Sequence, residues 1–157
     1  MKSSLKGVMF MALGYKNILV AIDGSKESKI ALNEGIRIAK DHGASLILVN
    51  VIDTTRVAKA KKYKEMIRYN LEDVNKSMDE YRIQATTQGV KDVKVIIEKG
   101  SPKKLIPIDI AERVNASLII CGATGLTPTE QIFLGSVTQQ IATNAKCDVL
   151  VVRNNAR

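Results

Sequence analysis

The sequence predicts an α/β domain: an open, doubly wound sheet of five parallel strands in the order 3-2-1-4-5, with helices on both faces. Three observations predict it. Five short, β-branched runs are apolar almost throughout, which suits parallel strands buried on both faces. Helical patterns separate each run from the next. The unusual residues Asp23 and Gly122 close the first and fourth runs, where a sheet of this order reverses and ligands bind.

The stretch MKSSLKGVMFMALGYK has a basic start and an apolar middle broken by Gly7 and Gly14, without a clear cleavage site. Residues 1–15 read as an N-terminal extension, and 16–157 as the domain. Asn17–Asp23 (NILVAID) is the first strand. Ser25 caps a helix running to about Asp41, and Gly43 ends it. Ser45–Ile52 is the second strand. From Arg56 to Gln88 no proline or glycine intervenes, and Ile67, Leu71, Val74, Met78, Tyr81 and Ala85 recur at steps of four and three. That spacing predicts one long amphipathic helix.

Val93–Glu98 is the third strand. Ser101 and Pro102 form a cap followed by a first-turn proline. Pro107 falls inside the third helix, where it should remove a hydrogen bond and kink the axis. Ser117–Cys121 is the fourth strand, and Ala123–Leu134 is a long segment without regular structure. Loops of that length in compact domains are usually functional or disordered. The last helix is expected to open at Ser136, with Gln139 completing a capping box and Val137, Ile141 and Ala145 buried. Asp148–Arg153 is the final strand.

Composition narrows the function classes. The 157 residues are 45% hydrophobic and 25% charged, as expected of a soluble globular domain. No apolar run reaches the roughly 20 residues of a membrane span, and a cytoplasmic location is expected. Cys121 and Cys147 read as small buried residues rather than a disulfide framework. The single histidine, His42, reads as a solvated helix-end residue that complements the dipole, and a zinc site is not expected. The net charge of +8 gathers at Arg56, Lys59, Lys61, Lys62, Lys64 and Arg68. This run reads as a solvated helix face. The competing reading is a nucleic-acid or partner-binding module, which lacks an accompanying aromatic stacking pattern.

From Gly122 the chain reads GATGLTPTEQIFLGSVTQQ. Gly122 and Gly125 permit tight turns and close backbone approach to a ligand. Gly135 and Ser136 stand at a helix start, where free N–H groups and the dipole favour an anion. Ser136 and Thr138 add hydroxyl donors, and Thr124, Thr127 and Thr129 are further candidates. A phosphate chain is the natural guest.

That Gly-x2-Gly-x9-Gly-Ser spacing resembles the ATP-binding branch of the universal stress protein family. YKNILVAIDGS is similar to the family's first strand and turn, LVNVID to its second strand and EKGSP to its third-strand exit. IFLGSV and CDVLVV are similar to its closing helix and strand. The resemblance implies that Ala21, Ile22 and Asp23 lie under the ribose and adenine edge, with Val51 offering backbone contacts to adenine. It also implies that Gly122, Thr124, Gly125, Gly135, Ser136, Val137 and Thr138 wrap ribose and phosphates. Asp23 has a second reading as a helix-cap residue. Many members carry Ser-His or Ser-Arg between the first two glycines, then a basic residue. Ala123, Thr124 and Leu126 stand here instead. A backbone anion site works without such a cation. The expected ligand is ATP, with ADP or AMP as alternatives.

Other phosphate-binding folds fit less well. The P-loop GxxxxGK[ST] and the dinucleotide GxGxxG are both missing after the first strand. No serine–histidine pair, carboxylate pair or metal-ligand cluster is evident, so no catalytic residue is named and at most slow ATP hydrolysis is expected. Asp23 could help hold Mg or Mn against the phosphates. The working expectation is a nucleotide-dependent switch read by an unknown protein partner. Val149–Val152, an uncharged edge strand, should join two chains as a homodimer, as the resemblance also implies.

Overall fold

The computed structural model describes residues 14–55, 61–124 and 134–154, with the side chains of 61–70 outside the description. The strands are β1 (Asn17–Ala21), β2 (Ser45–Asp53), β3 (Val93–Gly100), β4 (Leu118–Gly122) and β5 (Asp148–Val152). They form one parallel sheet in the order β3-β2-β1-β4-β5, as the alternation of apolar runs and helices predicts. β1 ends two residues before Asp23, although the Ile22 N–H still donates to the Val49 carbonyl at 2.8 Å.

Helix α1 (Lys26–His42) begins and ends where its capping residues direct. The Ser25 hydroxyl oxygen accepts the Ser28 N–H at 3.1 Å, and Gly43 adopts φ 63°, a left-handed conformation that glycine enters without a Cβ penalty. Helix α2 (Lys61–Thr87) shows the predicted stripe, with Met78 and Ala85 buried and Leu71, Val74 and Tyr81 half-buried. Arg56 and Lys59, and the side chains of Lys61, Lys62, Lys64, Ile67 and Arg68, lie outside the described residues.

The third helical segment, α3, runs through Pro102–Lys104, Leu105–Ile110 and Ala111–Arg113. Its middle piece is a π-helix rather than a simple kink. Pro107 has no N–H to donate, and the chain widens around it: the Ala111 N–H reaches back five residues to the Ile106 carbonyl. Ser101 occupies the cap position through its backbone alone, its carbonyl accepting the Leu105 N–H at 2.8 Å. Helix α4 (Ser136–Asn144) precedes β5.

Alternation along the strands divides the core between the two faces. Ile18, Val20, Leu46, Leu48, Leu118 and Ile120 pack with Leu32 and Ile36 of α1 and Met78 of α2. Leu19, Ile47, Val49, Ile119 and Cys121 pack with Ile106 and Ile110 of α3 and Ile141 of α4. The winding therefore reverses between β1 and β4. Those strands pair over only three positions, Ile18↔Leu118 to Val20↔Ile120, against eight between β2 and β3.

Two sequence expectations need correction at the opposite end of the sheet. His42 is half-buried, and its Nδ1 accepts the Tyr15 N–H at 3.0 Å. It thus fastens the chain ahead of β1 rather than standing solvated at the helix end. Cys121 is buried as expected, but Cys147, beside the start of β5, is only half-buried. Among the described residues no helix is long and apolar enough to cross a membrane.

Candidate functional site

β1 and β4 send their following helices to opposite faces, the topological reversal at which a doubly wound sheet characteristically forms its ligand crevice. Ala21, Val51 and Val137 are half-buried and pack on the face shared with α3 and α4. The structure therefore brings these three predicted residues to one face. Ile22 goes the other way: its side chain is buried against α1 and α2, so only its backbone faces the crevice side. Asp23 is exposed, and its Oδ1 accepts the Ser25 N–H at 2.9 Å, which closes the turn ahead of α1. The residue thus serves the turn leading into the cap, while Ser25 is the cap itself.

The exit of β4 is held tightly. The Thr138 hydroxyl donates to the Gly122 carbonyl at 2.6 Å, and the Gly135 N–H donates to the Ala123 carbonyl at 2.6 Å. The Ala123 N–H donates to the Val152 carbonyl at 2.8 Å. Gly122, Thr124, Gly135, Ser136, Val137 and Thr138 are consequently one constellation. Gly125, Leu126, Thr127 and Thr129 lie outside the described residues.

α4 opens at Ser136 as expected, but its cap differs. Gly135 is the N-cap, extended at φ −64° and ψ 158°, and Ser136 is the first helical residue. The predicted capping box does not form, because the cap falls on Gly135, whose N–H is tied to the Ala123 carbonyl, and Ser136 is already helical. The Gln139 side chain donates instead to the Leu134 carbonyl at 2.9 Å. A glycine cap offers the first-turn N–H groups no side-chain acceptor, and Ser136 is exposed beside them. Val137 and Ile141 pack inward as predicted, whereas Ala145 falls just past the helix and is half-buried.

Glu27 belongs to the site's frame and was not foreseen. From the first turn of α1 its Oε2 accepts the Thr124 N–H at 2.6 Å and the Thr124 hydroxyl at 2.9 Å. Its Oε1 accepts the Asn154 N–H at 3.3 Å. Burial pushes the Glu27 carboxyl up, but the bonds from Thr124 and Asn154 and the Arg153 charge outweigh it and hold the group below the usual glutamate range. An acid in a first helical turn reads as ordinary dipole compensation, so nothing local pointed to Thr124. At the strand end, burial pushes the Cys121 thiol up to about 11, opposed only in part by the neighbouring Thr138 hydroxyl.

Comparison with known proteins places these features in a family. The universal stress protein family model matches residues 14–153. A Staphylococcus aureus (strain USA300) protein named for that family is 42% identical over 143 residues, covering 88% of this chain and 84% of the relative. The solved universal stress protein UspA of Lactobacillus plantarum superposes with a TM-score of 0.82 at 28% identity, covering 89% of this chain and 99% of that one. A universal stress protein solved in complex with cAMP superposes with a TM-score of 0.69 at 25% identity, covering 89% and 98%.

Proposed function

The chain belongs to the universal stress protein family, and from that premise we propose that it binds an adenine nucleotide where the winding reverses between β1 and β4. The observation that carries this reading is the start of α4. A glycine-capped helix lies against the exit of β4 at the reversal of the sheet, with its first-turn N–H groups lacking a side-chain cap. Phosphates fit the N–H groups of Ser136, Val137 and Thr138 and the Ser136 hydroxyl, bordered by Gly122, Thr124 and Gly135, while the Thr138 hydroxyl holds the Gly122 carbonyl. Adenine fits the half-buried apolar surface of Ala21, Val51 and Val137, with the backbone of Ile22 at its edge. Asp23, fixed by its bond from Ser25, is placed to accept from a ribose hydroxyl. The cAMP complex of a structural neighbour supports the adenine nucleotide class.

ATP is the proposed ligand, with ADP and AMP as the alternatives to be separated by affinity. Among the described residues no three His, Cys, Asp or Glu side chains come together. A Mg or Mn ion would therefore rest mainly on the nucleotide phosphates, with Asp23 the one protein carboxylate proposed for it. The protein's role is that of a nucleotide-dependent regulator read by a protein partner, rather than an efficient ATPase. A homodimer is proposed through β5, the strand at the sheet edge, which among the described residues pairs only with β4. Light scattering that shows only monomer at high concentration would refute the dimer.

Titration calorimetry with ATP, ADP, AMP and cAMP tests the site, using the wild type and Gly135→Val. A branched side chain at the helix start blocks phosphate approach, so binding should be lost in the variant. Equal affinity in both proteins, or no binding of any nucleotide, defeats the reading.

A further inference from the structure

Residues 122–124 are gripped from two sides. On the α4 side the grip comes from Thr138 and Gly135, and on the α1 side it comes from one carboxylate. We propose that Glu27 is a positioning residue for the nucleotide site: without touching the nucleotide, it sets the path of the chain leaving β4 and thereby the placement of α4's first turn. The proposal rests on the nucleotide reading above.

Three observations carry it. First, Glu27 takes both donors of Thr124, at 2.6 and 2.9 Å, and a charged acceptor makes such bonds roughly twice as strong as neutral ones. Thr124 then has its N–H and hydroxyl turned toward α1, and it serves the phosphates through the shape of the chain. Second, the approach of Glu27 depends on Gly122. A Cβ there would lie 2.8 Å from the Glu27 Cβ and 3.2 Å from its backbone carbonyl carbon. The first glycine of the Gly-x2-Gly spacing thus makes room for α1. Third, the same carboxylate accepts the Asn154 N–H at 3.3 Å, while Ala123 bonds to Val152 and Gly135. One side chain therefore links the start of α1, the exit of β4 and the chain beyond β5. Through Ala123, that linkage reaches the cap of α4.

The test is ATP titration calorimetry on the full chain. Glu27→Gln should weaken ATP binding by about tenfold, since an uncharged amide oxygen holds the two Thr124 donors more weakly and its NH2 cannot accept from Asn154. Thr124→Val should weaken it by about threefold, Thr124→Ser, which keeps both donors, should weaken it less than Thr124→Val, and Glu27→Gln with Thr124→Val should be no weaker than Glu27→Gln alone. Gly35→Ala, a core change whose Cβ meets Val20, Leu46 and Ile120 rather than residues 122–124, serves as a control that lowers stability. A purely structural role for Glu27 predicts the same loss of affinity in that control, and observing it would overturn the proposal. A folded Glu27→Gln protein that binds ATP like wild type would also overturn it. Should Glu27→Gln fail to fold, equal affinity in Thr124→Val and Thr124→Ser would do so. If wild type binds no adenine nucleotide, the nucleotide reading itself fails and this inference falls with it.

Discussion

The hydroxyl of Thr138 donates to the carbonyl of Gly122 at 2.6 Å, fastening the first turn of α4 to the last residue of β4. Thr138 is 5% exposed, so its hydroxyl has little access to water. Thr138→Val keeps the shape and removes the donor. It should destabilise the fold by about 1 kcal/mol, the net worth of a hydrogen bond to a carbonyl on the half-buried Gly122. Urea unfolding should show a lower midpoint at unchanged slope. A midpoint equal to wild type would show that this bond contributes nothing.

Gly35 lies where α1 crosses β1. A Cβ there would stand 2.6 Å from Cγ2 of Val20 and 3.2 Å from Cδ1 of Leu46, both fully buried side chains. Alanine is the better helix former by up to about 1 kcal/mol. Overpacking a filled core costs about 1–3 kcal/mol, and the stiff valine cannot swing aside. Gly35→Ala should therefore be less stable than wild type in thermal unfolding. An increase in Tm would mean that α1 lifts from the sheet at little cost.

The two thiols should separate cleanly. Burial raises the Cys121 thiol to about 11 and shields it, whereas Cys147, raised by partial burial and by the Asp148 charge, is half-exposed. With a disulfide reagent at pH 8, Cys147 should react slowly and Cys121 only at the rate of global unfolding. Equal rates at both positions would contradict the packing of Cys121.

Glu27 gives stability a signature in acid. Its folded pKa lies below its unfolded value, so its contribution is present above the unfolded value, about 4.3. The contribution is lost as pH falls from there through the lowered folded value. The stability gap between wild type and Glu27→Gln should be full at pH 7 and shrink below about pH 4.3. A gap that stays constant from pH 7 to pH 3 would show that the carboxylate charge is not what binds Thr124.

Much of this architecture is legible in the sequence because the signals are local. Runs such as Leu46–Val49 are too apolar to be anything but buried on both faces, and Ser25 and Gly43 bracket α1 by backbone chemistry alone. Pro107 announces a disturbance, yet whether the helix bends or widens depends on how Ile106 and Ile110 seat on the sheet. The Ser136–Gln139 spacing has the form of a capping box. It is overruled by a bond from Gly135 to Ala123, across a segment no local rule spans. Glu27 and Thr124 are 97 residues apart, and only the crossing of α1 over β4 makes them neighbours. The crevice was legible because topology places it; the carboxylate that braces it was not.

The three-position overlap of β1 with β4 has a mechanical consequence. β3, β2 and β1 are stitched along most of their length, as are β4 and β5, so the sheet behaves as two stiff panels joined by a narrow seam. Relative motion of the panels sacrifices the fewest ladder bonds at that seam, which runs directly beneath the crevice. A guest that contacts both panels would stiffen the seam as a whole, and occupancy could then be felt at β5, one strand away, without any rearrangement of the fold.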